Sequence, residues 1–211
     1  GPYIHCAFYG ALNVLENGSE AQRRELLPPL ARGEILFAYG LSEPDVGGDL
    51  ASAAVSARLE DDGRSVVVNG TKRWCTGARI ADYIYTLVRS GPADERYRNL
   101  SLLLVPAAAP GLTIVDIDHS GLRYAATTDV IYDEVRVPVK NRVGAENDGW
   151  RVTMVTLSFE RGTAFVSELL GAIELNHDLI ELSKRITSKG ATKWDDAGLR
   201  RDLGKIAAEF D

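Results

Sequence analysis

The sequence is poor in cysteine and histidine and has no long apolar run, and each shortage excludes a class of protein. The two cysteines, Cys6 and Cys75, lie far apart without the spacing of metal ligands, which argues against a disulfide framework and against a zinc site. No apolar run approaches the roughly 18 residues of a transmembrane helix, and no signal-peptide pattern is present. We therefore expect a chain without a membrane span that resides in a reducing compartment.

An excess of basic charge is also missing. The 211 residues carry a net charge of -6, whereas a nucleic-acid-binding protein is usually basic or carries a basic stripe. Any anionic ligand would therefore be bound by individual arginines, backbone N–H groups or helix N-termini. The three histidines, His5, His119 and His177, stand singly with no nucleophile beside them, so we expect them to be structural or exposed rather than catalytic.

Helical patterns occupy both ends of the chain. Residues 3–36 indicate two helices, the second opened by an N-cap at Ser19 with Gln22 three residues later. The Pro28-Pro29 pair is expected to break this second helix, because proline lacks the backbone N–H.

After Pro138 the helical period returns. Apolar residues from Val152 to Ile180 recur at three- and four-residue intervals along two stripes, which predicts a helix packed on two sides. Residues 185–197 are a polar break. Residues 195–211 predict a last helix with no terminating signal, which we expect to continue past the end of the sequence.

Between these ends the apolar period changes to two. Asp62-Gly63 and Asn69-Gly70 are two-residue hairpin signals, so the strands around them are expected to form a three-stranded meander. Ser90 to Arg98 is polar and is expected to be a mobile surface loop. The candidate strands are residues 35–39, 51–59, 65–68, 71–76, 83–89, 100–105, 112–118 and 129–137. These patterns predict an α+β fold with an antiparallel β-barrel or sandwich between helical segments.

Two stretches carry the densest ligand chemistry. Tyr39 to Asp49 combines an aromatic ring, a hydroxyl, carboxylates, Pro44 and three glycines, of which Gly47 and Gly48 permit a close approach or a positive φ. The second stretch, Trp74 to Gly77, ends the third strand of the expected meander, which can place both stretches at one end of the sheet. Together they suit a planar heteroaromatic ring with polar edges. An ordinary polar loop and a core tryptophan are the alternatives.

The two stretches resemble the flavin-binding middle domain of the acyl-CoA dehydrogenases. That family's pattern is aromatic-x-x-Thr/Ser-Glu-Pro-x-x-Gly-Ser-Asp, then Asn-Gly-x-Lys-x-Trp-Ile-Thr, and it is similar to Tyr39–Asp49 and Asn69–Thr76. Asp129 to Pro138 resembles the family's Phe-Asp-x-Val-x-Val-Pro strand. Gly144 to Trp150 and Ser19 to Glu34 also match in order, so the resemblance covers nearly the whole chain.

The resemblance implies a fragment of an acyl-CoA dehydrogenase-like fold with three parts. These are the end of an N-terminal helical domain (1–36), the flavin-binding middle β domain (37–144) and the start of a C-terminal helical bundle (145–211). It also implies FAD as cofactor, an acyl-CoA substrate, electron-transfer flavoprotein or a similar acceptor, and a homodimer or homotetramer. The implied location is the bacterial cytoplasm, or the mitochondrial matrix in a eukaryote.

The implied reaction removes the α-proton of an acyl-CoA thioester and transfers a β-hydride to the flavin, giving the trans-2-enoyl-CoA. In the family's pattern, the positions of Leu41, Ser42 and Thr76 hydrogen-bond the flavin, Trp74 packs against it and Tyr39 lies nearby. Gly47 and Gly48 belong to the cofactor loop. Gly48 also corresponds to a position near the substrate carbonyl, and Arg161 to one facing the pantetheine or phosphate of CoA.

The resemblance also indicates a catalytic base. The α-carbon is a very weak acid, so the reaction needs a desolvated carboxylate of raised pKa and hydrogen bonds to the thioester carbonyl. In the isovaleryl and long-chain subgroups the base precedes an arginine on the helix after the β domain, which is the position of Glu160. In other members it lies near the C-terminus. A charged pair of Glu160 with Arg161, without a catalytic role, is the alternative.

Three positions depart from the family pattern. Gly48 replaces a serine, so one side-chain hydrogen bond is lost or is made by the backbone instead. Cys75 replaces an isoleucine, and we expect it to fill the same space. Arg185 falls where the family has Arg-x-x-Phe-Gly but the Phe is absent, which puts in doubt a contact with the FAD of a neighbouring subunit. An acyl-CoA oxidase, a flavin monooxygenase on the same scaffold and a non-catalytic acyl-CoA-binding homologue are the other functions considered.

Overall fold

The computed structural model describes residues 10–121, 127–163, 166–188 and 190–210. The helices in these ranges are α1 (Gly10–Asn17), α2 (Glu20–Ala31), α3 (Gly149–Thr163), α4 (Val166–Arg185) and α5 (Ala197–Ala208). The strands are β1 (Phe37–Gly40), β2 (Ser56–Leu59), β3 (Ser65–Lys72), β4 (Tyr83–Arg89), β5 (Leu100–Pro106), β6 (Leu112–Asp116), β7 (Thr128–Pro138), β8 (Arg142–Val143), β9 (Thr187–Ser188) and β10 (Ala191–Thr192). His5 and Cys6 lie outside the described residues, as does the expected start of the first helix.

Helix α2 opens with the predicted capping box. The Gln22 N–H donates to Ser19 Oγ at 3.2 Å, and the Ser19 N–H donates to Gln22 Oε1 at 2.9 Å. The predicted break at Pro28-Pro29 is wrong, because α2 continues to Ala31. The carbonyls of both prolines still accept hydrogen bonds, from the N–H groups of Arg32 at 3.2 Å and Glu34 at 2.9 Å, so the last turn closes although two N–H donors are missing.

The middle of the chain is one open, mostly antiparallel sheet of eight strands. Its order is β6-β7-β3-β2-β4-β5-β8, and β1 pairs in parallel with β4 beside this path. Strand β6 pairs with β7 and strand β8 with β5, so the two ends of the sheet do not meet. The predicted α+β class is therefore confirmed, with a sandwich-like sheet rather than a closed barrel.

The predicted meander is half right. Asp62-Gly63 does turn the chain between β2 and β3, with Gly63 at φ 64°. The second hairpin is wrong, because Ser65–Lys72 is a single strand and Asn69-Gly70 forms a bulge opposite β7. Gly70 has φ 128°, and the Asn69 side chain accepts from the Glu134 N–H at 2.9 Å, so the turn chemistry of this dipeptide serves the bulge instead.

Several predicted strand limits also change. The strand predicted from Ala51 begins at Ser56, because residues 50–52 form a 3-10 turn. The strand predicted to reach Thr76 ends at Lys72.

Strands β4 and β5 are buried on both faces. Ile84 and Val105 belong to an apolar cluster formed mostly by strand residues. Tyr85 and Leu102 belong to a second cluster, which also contains Val14 and Val152 of the helices. This double burial explains why both strands are almost continuously apolar. Because β1 pairs with β4, the end of β1 is held by the most buried part of the sheet.

The described residues divide into two compact units between Glu160 and Arg161. In the second unit the expected polar break of residues 185–197 contains the short β9–β10 hairpin. Helix α4 exposes large apolar side chains, for example Leu170 at 55% and Leu175 at 60%. Its expected packing on two sides stays a prediction. Among the described residues, no helix combines the length and the apolarity that crossing a bilayer requires.

Candidate functional site

The two stretches that the sequence singled out meet in the structure. The Arg73 N–H donates to the Ser42 carbonyl at 2.9 Å, and the Lys72 ammonium donates to the Leu41 carbonyl at 2.9 Å. A Cβ built on Gly40 would lie 3.3 Å from Lys72 Cγ, so the ends of β1 and β3 are in contact. The prediction that both stretches lie at one end of the sheet is confirmed.

The cause of this proximity differs from the predicted meander. Strands β1 and β2 both pair with β4, β1 near its start and β2 at Arg89, and they run in the same direction. Strand β3 is antiparallel to β2, with Asn69 opposite Ser56, and then continues past the start of β2. Its last residues therefore reach the end of β1.

A buried ion pair lies where the two segments meet. The Lys72 ammonium donates to Glu43 Oε1 at 2.8 Å, and the two side chains are 0% and 6% exposed. Burial lowers the pKa of Lys72, and the Glu43 carboxylate offsets part of this effect. Glu43 also accepts from the N–H groups of Ala54 at 2.8 Å and Val55 at 3.0 Å. One carboxylate therefore closes the loop that runs from residue 44 to residue 53.

The tip of this loop is open to solvent. Glu43 and Val46 exchange backbone hydrogen bonds of 2.8 and 3.1 Å around Pro44. A Cβ added at Gly47 or Gly48 would meet nothing within 4 Å, and the two N–H groups make no hydrogen bond with another described residue. Neither glycine has a positive φ, so of the two possibilities considered for them only a close approach of another group remains. What the glycines provide is uncovered backbone.

Trp74 has a strained backbone and an exposed ring. Its φ is 63°, and its side chain is 58% exposed, so the core tryptophan considered as an alternative is wrong. A non-glycine residue in this region costs about 1–3 kcal/mol and is typical of functional sites. The Arg73 guanidinium lies 5.7 Å from the Trp74 ring and binds both carboxylate oxygens of Asp129, at 2.9 and 2.8 Å. This ion pair lowers the pKa of Asp129.

Cys75 and Thr76 complete this segment. Cys75 is fully buried in the sheet cluster, which confirms the predicted packing role, and burial raises the pKa of its thiol to about 12. Its backbone pairs with Thr128 through two hydrogen bonds of 2.8 Å. Thr76 is partly buried, with its hydroxyl 3.4 Å from that of Thr127. The arrangement leaves Trp74 exposed beside the buried Cys75.

Tyr39 is joined to helix α3 by a buried network. Its ring lies 5.4 Å from the Tyr85 ring in an edge-on contact, and the Tyr85 hydroxyl is 2.9 Å from Thr156 Oγ1. The Asn13 amide donates to Thr156 Oγ1 at 2.5 Å and to the Val152 carbonyl at 2.6 Å. Burial raises the pKa of Tyr85. Helices α1 and α3 are thereby fixed to the same strand.

Glu160 lies one helical turn after Thr156. Its side chain is partly exposed and forms no ion pair among the described residues, so a structural pair with Arg161 is not seen. The alternative of two solvated charges without a catalytic role stays open. Arg161 is exposed. Leu157, one of the expected apolar neighbours of Glu160, is partly buried, and the other, Ala164, lies outside the described residues.

The polar loop between β4 and β5 was expected at the surface and is exposed there. Two of its side chains are nevertheless anchored: Arg96 forms an ion pair with Asp49, and the Tyr97 ring packs at 4.8 Å against Trp150. Sequence reasoning missed these contacts and the Lys72–Glu43 pair. Lys72 follows the polar stretch Asn69–Thr71 of β3, so no local signal indicates that its side chain is buried with a partner.

The residues present fit a flavin. Trp74 supplies an exposed aromatic face, Ser42 and Thr76 supply hydroxyls, and Gly47 and Gly48 supply N–H groups without internal partners. A planar ring with polar edges and an anionic tail needs these groups. A separate cleft of about 470 Å³ between α2 and residues 138–144 contains none of the predicted site residues.

Comparison with known proteins gives a consistent result. Residues 38–135 match the model of the acyl-CoA dehydrogenase middle domain. Acyl-CoA dehydrogenase FadE26 of Mycobacterium tuberculosis is 38% identical over 205 residues, which are 94% of this chain and 49% of that protein. Acyl-CoA dehydrogenase IpdE1 of the same organism is 39% identical over 170 residues, 80% of this chain and 43% of that protein.

The fold comparison agrees with the sequence comparison. Butyryl-CoA dehydrogenase from Megasphaera elsdenii superposes with a TM-score of 0.89 at 25% identity, covering 99% of this chain and 54% of that structure. The chain spans about half the length of the relatives it matches.

Proposed function

The chain belongs to the acyl-CoA dehydrogenase family, and on that premise we propose that it forms the cofactor-binding part of an FAD-dependent enzyme. The proposed reaction oxidises an acyl-CoA thioester to the trans-2-enoyl-CoA. The observation that carries the proposal is the hydrogen bond from the Arg73 N–H to the Ser42 carbonyl, which joins the glycine loop to the segment of exposed Trp74.

The proposed cofactor contacts use the two segments that meet at the end of the sheet. Trp74 would contribute its ring face, and Leu41, Ser42 and Thr76 would contribute N–H and hydroxyl groups, whereas the carbonyls of Leu41 and Ser42 already accept from Lys72 and Arg73. Gly47 and Gly48 offer N–H groups to an anionic part of the cofactor. Tyr39, at the start of the loop, packs edge-on against the buried ring of Tyr85. The chemistry that FAD supplies when bound is acceptance of the hydride from the substrate β-carbon.

We assign the base to Glu160. Its carboxylate would take the α-proton, and the network from Asn13 to Thr156 fixes the helix one turn earlier. Hydrogen bonds from backbone N–H groups near Gly48 would stabilise the negative charge on the thioester oxygen. Arg161 would bind the pantetheine or phosphate part of CoA.

Anaerobic titration of the full-length protein with acyl-CoA tests the assignment. The wild type is expected to lose its visible flavin absorbance. Glu160→Gln should retain FAD but lose at least about 100-fold in the bleaching rate, because general-base catalysis typically contributes that much. Glu174→Gln, an exposed helical position, is the matched control. Normal bleaching by Glu160→Gln would assign the base to another residue.

The remaining proposals concern the whole protein. The electron acceptor would be electron-transfer flavoprotein or a similar protein, and the assembly a homodimer or homotetramer. The location would be the bacterial cytoplasm, or the mitochondrial matrix in a eukaryote. The domains would divide at residues 36 and 144.

Two outcomes would replace the proposed reaction. Rapid reoxidation of the reduced flavin by oxygen in stopped flow would favour an oxidase or a monooxygenase. A protein that purifies colourless and takes up no FAD would be a non-catalytic homologue.

A further inference from the structure

The buried side chain of Lys72 joins the loop to the strand that leads into Trp74. It is fully buried and donates to the carbonyl of Leu41 and to the carboxylate of Glu43. A buried ion pair seldom adds net stability, because the cost of desolvating both charges offsets their attraction. A role in fixing geometry accounts for this pair better than a role in stability.

Glu43 connects Lys72 to the C-terminal end of the loop through hydrogen bonds. Its two carboxylate oxygens accept from Ala54 and Val55, eleven and twelve residues later in the chain. The exposed segment with Gly47 and Gly48 has no core contact of its own at the position of an added Cβ. The segment is held at Asp49 by Arg96 and at the base of the loop by Glu43.

Lys72 fixes the other half of the site as well. The next residue, Arg73, donates its N–H to Ser42, and Trp74 follows with its strained φ of 63°. A shift at Lys72 would change both the loop and the orientation of the Trp74 ring. Because a strained conformation persists only where the surroundings enforce it, Trp74 is sensitive to such a shift.

We propose that Lys72 is a positioning residue, whose ammonium holds the glycine loop and Trp74 at the separation that binds FAD. The inference rests on the proposed function, because FAD is the cofactor it concerns. Lys72 does not need to touch the flavin in this role. Its effect on the cofactor is exerted through Leu41 and Glu43.

The test compares FAD binding by the full-length wild type and by Lys72→Met/Glu43→Gln. The single variant Lys72→Met would leave a buried carboxylate without its counter-ion, which strongly destabilises a fold, so the neutral pair is the decisive variant. It removes both charges and keeps one amide oxygen as an acceptor for the N–H group of Ala54 or of Val55, which bond different oxygens of Glu43. Arg136→Met/Glu60→Gln neutralises another ion pair, between β7 and the residue that follows β2, and is the control.

The measurements are the FAD dissociation rate and the fluorescence of the bound flavin, at a temperature where the far-ultraviolet circular dichroism of each protein is native. We expect Lys72→Met/Glu43→Gln to release FAD at least about tenfold faster, because hydrogen bonds to a charged group are lost. Its flavin fluorescence should rise as Trp74 leaves its stacking position. The control should match the wild type.

Two results are distinguished by this design. If the wild type binds FAD and the folded neutral-pair variant keeps its dissociation rate and fluorescence, Lys72 has no positioning role and the proposed function stands. If the wild type takes up no FAD, the proposed function is wrong, and the positioning role of Lys72 that rests on it is wrong as well.

Discussion

Replacing Thr156 with valine tests the network that fixes helix α3. The substitution exchanges a hydroxyl for a methyl group of nearly the same size, so it changes hydrogen bonding without opening a cavity. In the native protein Thr156 Oγ1 is 2.9 Å from the Tyr85 hydroxyl and 2.5 Å from the Asn13 amide, and all three side chains are buried. The network links α1, β4 and α3.

The expected cost follows from the partners that remain. The Asn13 amide keeps its bond to the Val152 carbonyl, whereas the Tyr85 hydroxyl loses its partner in a buried position. Leaving one buried polar group unsatisfied costs about 1–3 kcal/mol. Tyr85→Phe/Thr156→Val removes both hydroxyls, so it should be less destabilised than the sum of the two single variants.

Urea unfolding of the purified protein measures this cost as a change in midpoint at constant slope. Thr113→Val, on the exposed face of β6, is the matched control and should change the free energy of unfolding by less than about 0.5 kcal/mol. Equal stabilities of Thr156→Val and Thr113→Val would refute the reasoning. Additive effects of Tyr85→Phe and Thr156→Val would show that the two hydroxyls do not interact.

Three further predictions follow from individual residues. Gly70→Ala should destabilise the fold by more than about 1 kcal/mol in thermal unfolding, because φ is 128° and the new Cβ would lie 2.9 Å from Val55 Cγ2. Gly63→Ala, at φ 64° in open space, is the control and should be destabilised less. Equal destabilisation of the two variants would contradict the bulge. The Cys75 thiol, with its pKa raised to about 12, should resist alkylation at pH 8 until the protein unfolds, as peptide mapping would show, and rapid native labelling would contradict its burial. The pKa of Asp129 is lowered by Arg73, so this ion pair stabilises the fold above the ordinary aspartate pKa near 3.8, and the contribution is lost as pH falls through the lower pKa of the folded state. Asp129→Asn should therefore lose less stability than the wild type between pH 5 and pH 3. Identical pH profiles of the two proteins would contradict the ion pair.

Local signals in the sequence predicted local structure well. The Ser19/Gln22 capping box and the Asp62-Gly63 hairpin both formed, because each depends on hydrogen bonds within a few residues. Asn69-Gly70 carries the same turn chemistry but lies opposite a partner strand, β7, that is distant in sequence. A bulge and a hairpin use the same residue types, so the distinction depends on tertiary pairing.

The two stretches were correctly predicted to lie together, although the predicted topology was wrong. The sequence placed the glycine loop beside Trp74 through a meander, whereas the structure does so through two strands that share an edge of β4. The ion pair of Lys72 with Glu43 joins residues 29 positions apart, and no local pattern reveals it. The positive φ of Trp74 likewise has no signal in the sequence.

Titration of the full-length apoprotein with FAD is the most direct test of the claim that residues 39–49 and 73–76 form a flavin site. The wild type is expected to bind FAD with quenched flavin fluorescence. Trp74→Ala should weaken binding by about tenfold, since an aromatic contact contributes about 0.5–1.5 kcal/mol beyond the area it buries. Trp194→Ala, outside both segments, should bind as the wild type does. Unchanged affinity and quenching in Trp74→Ala would contradict the account.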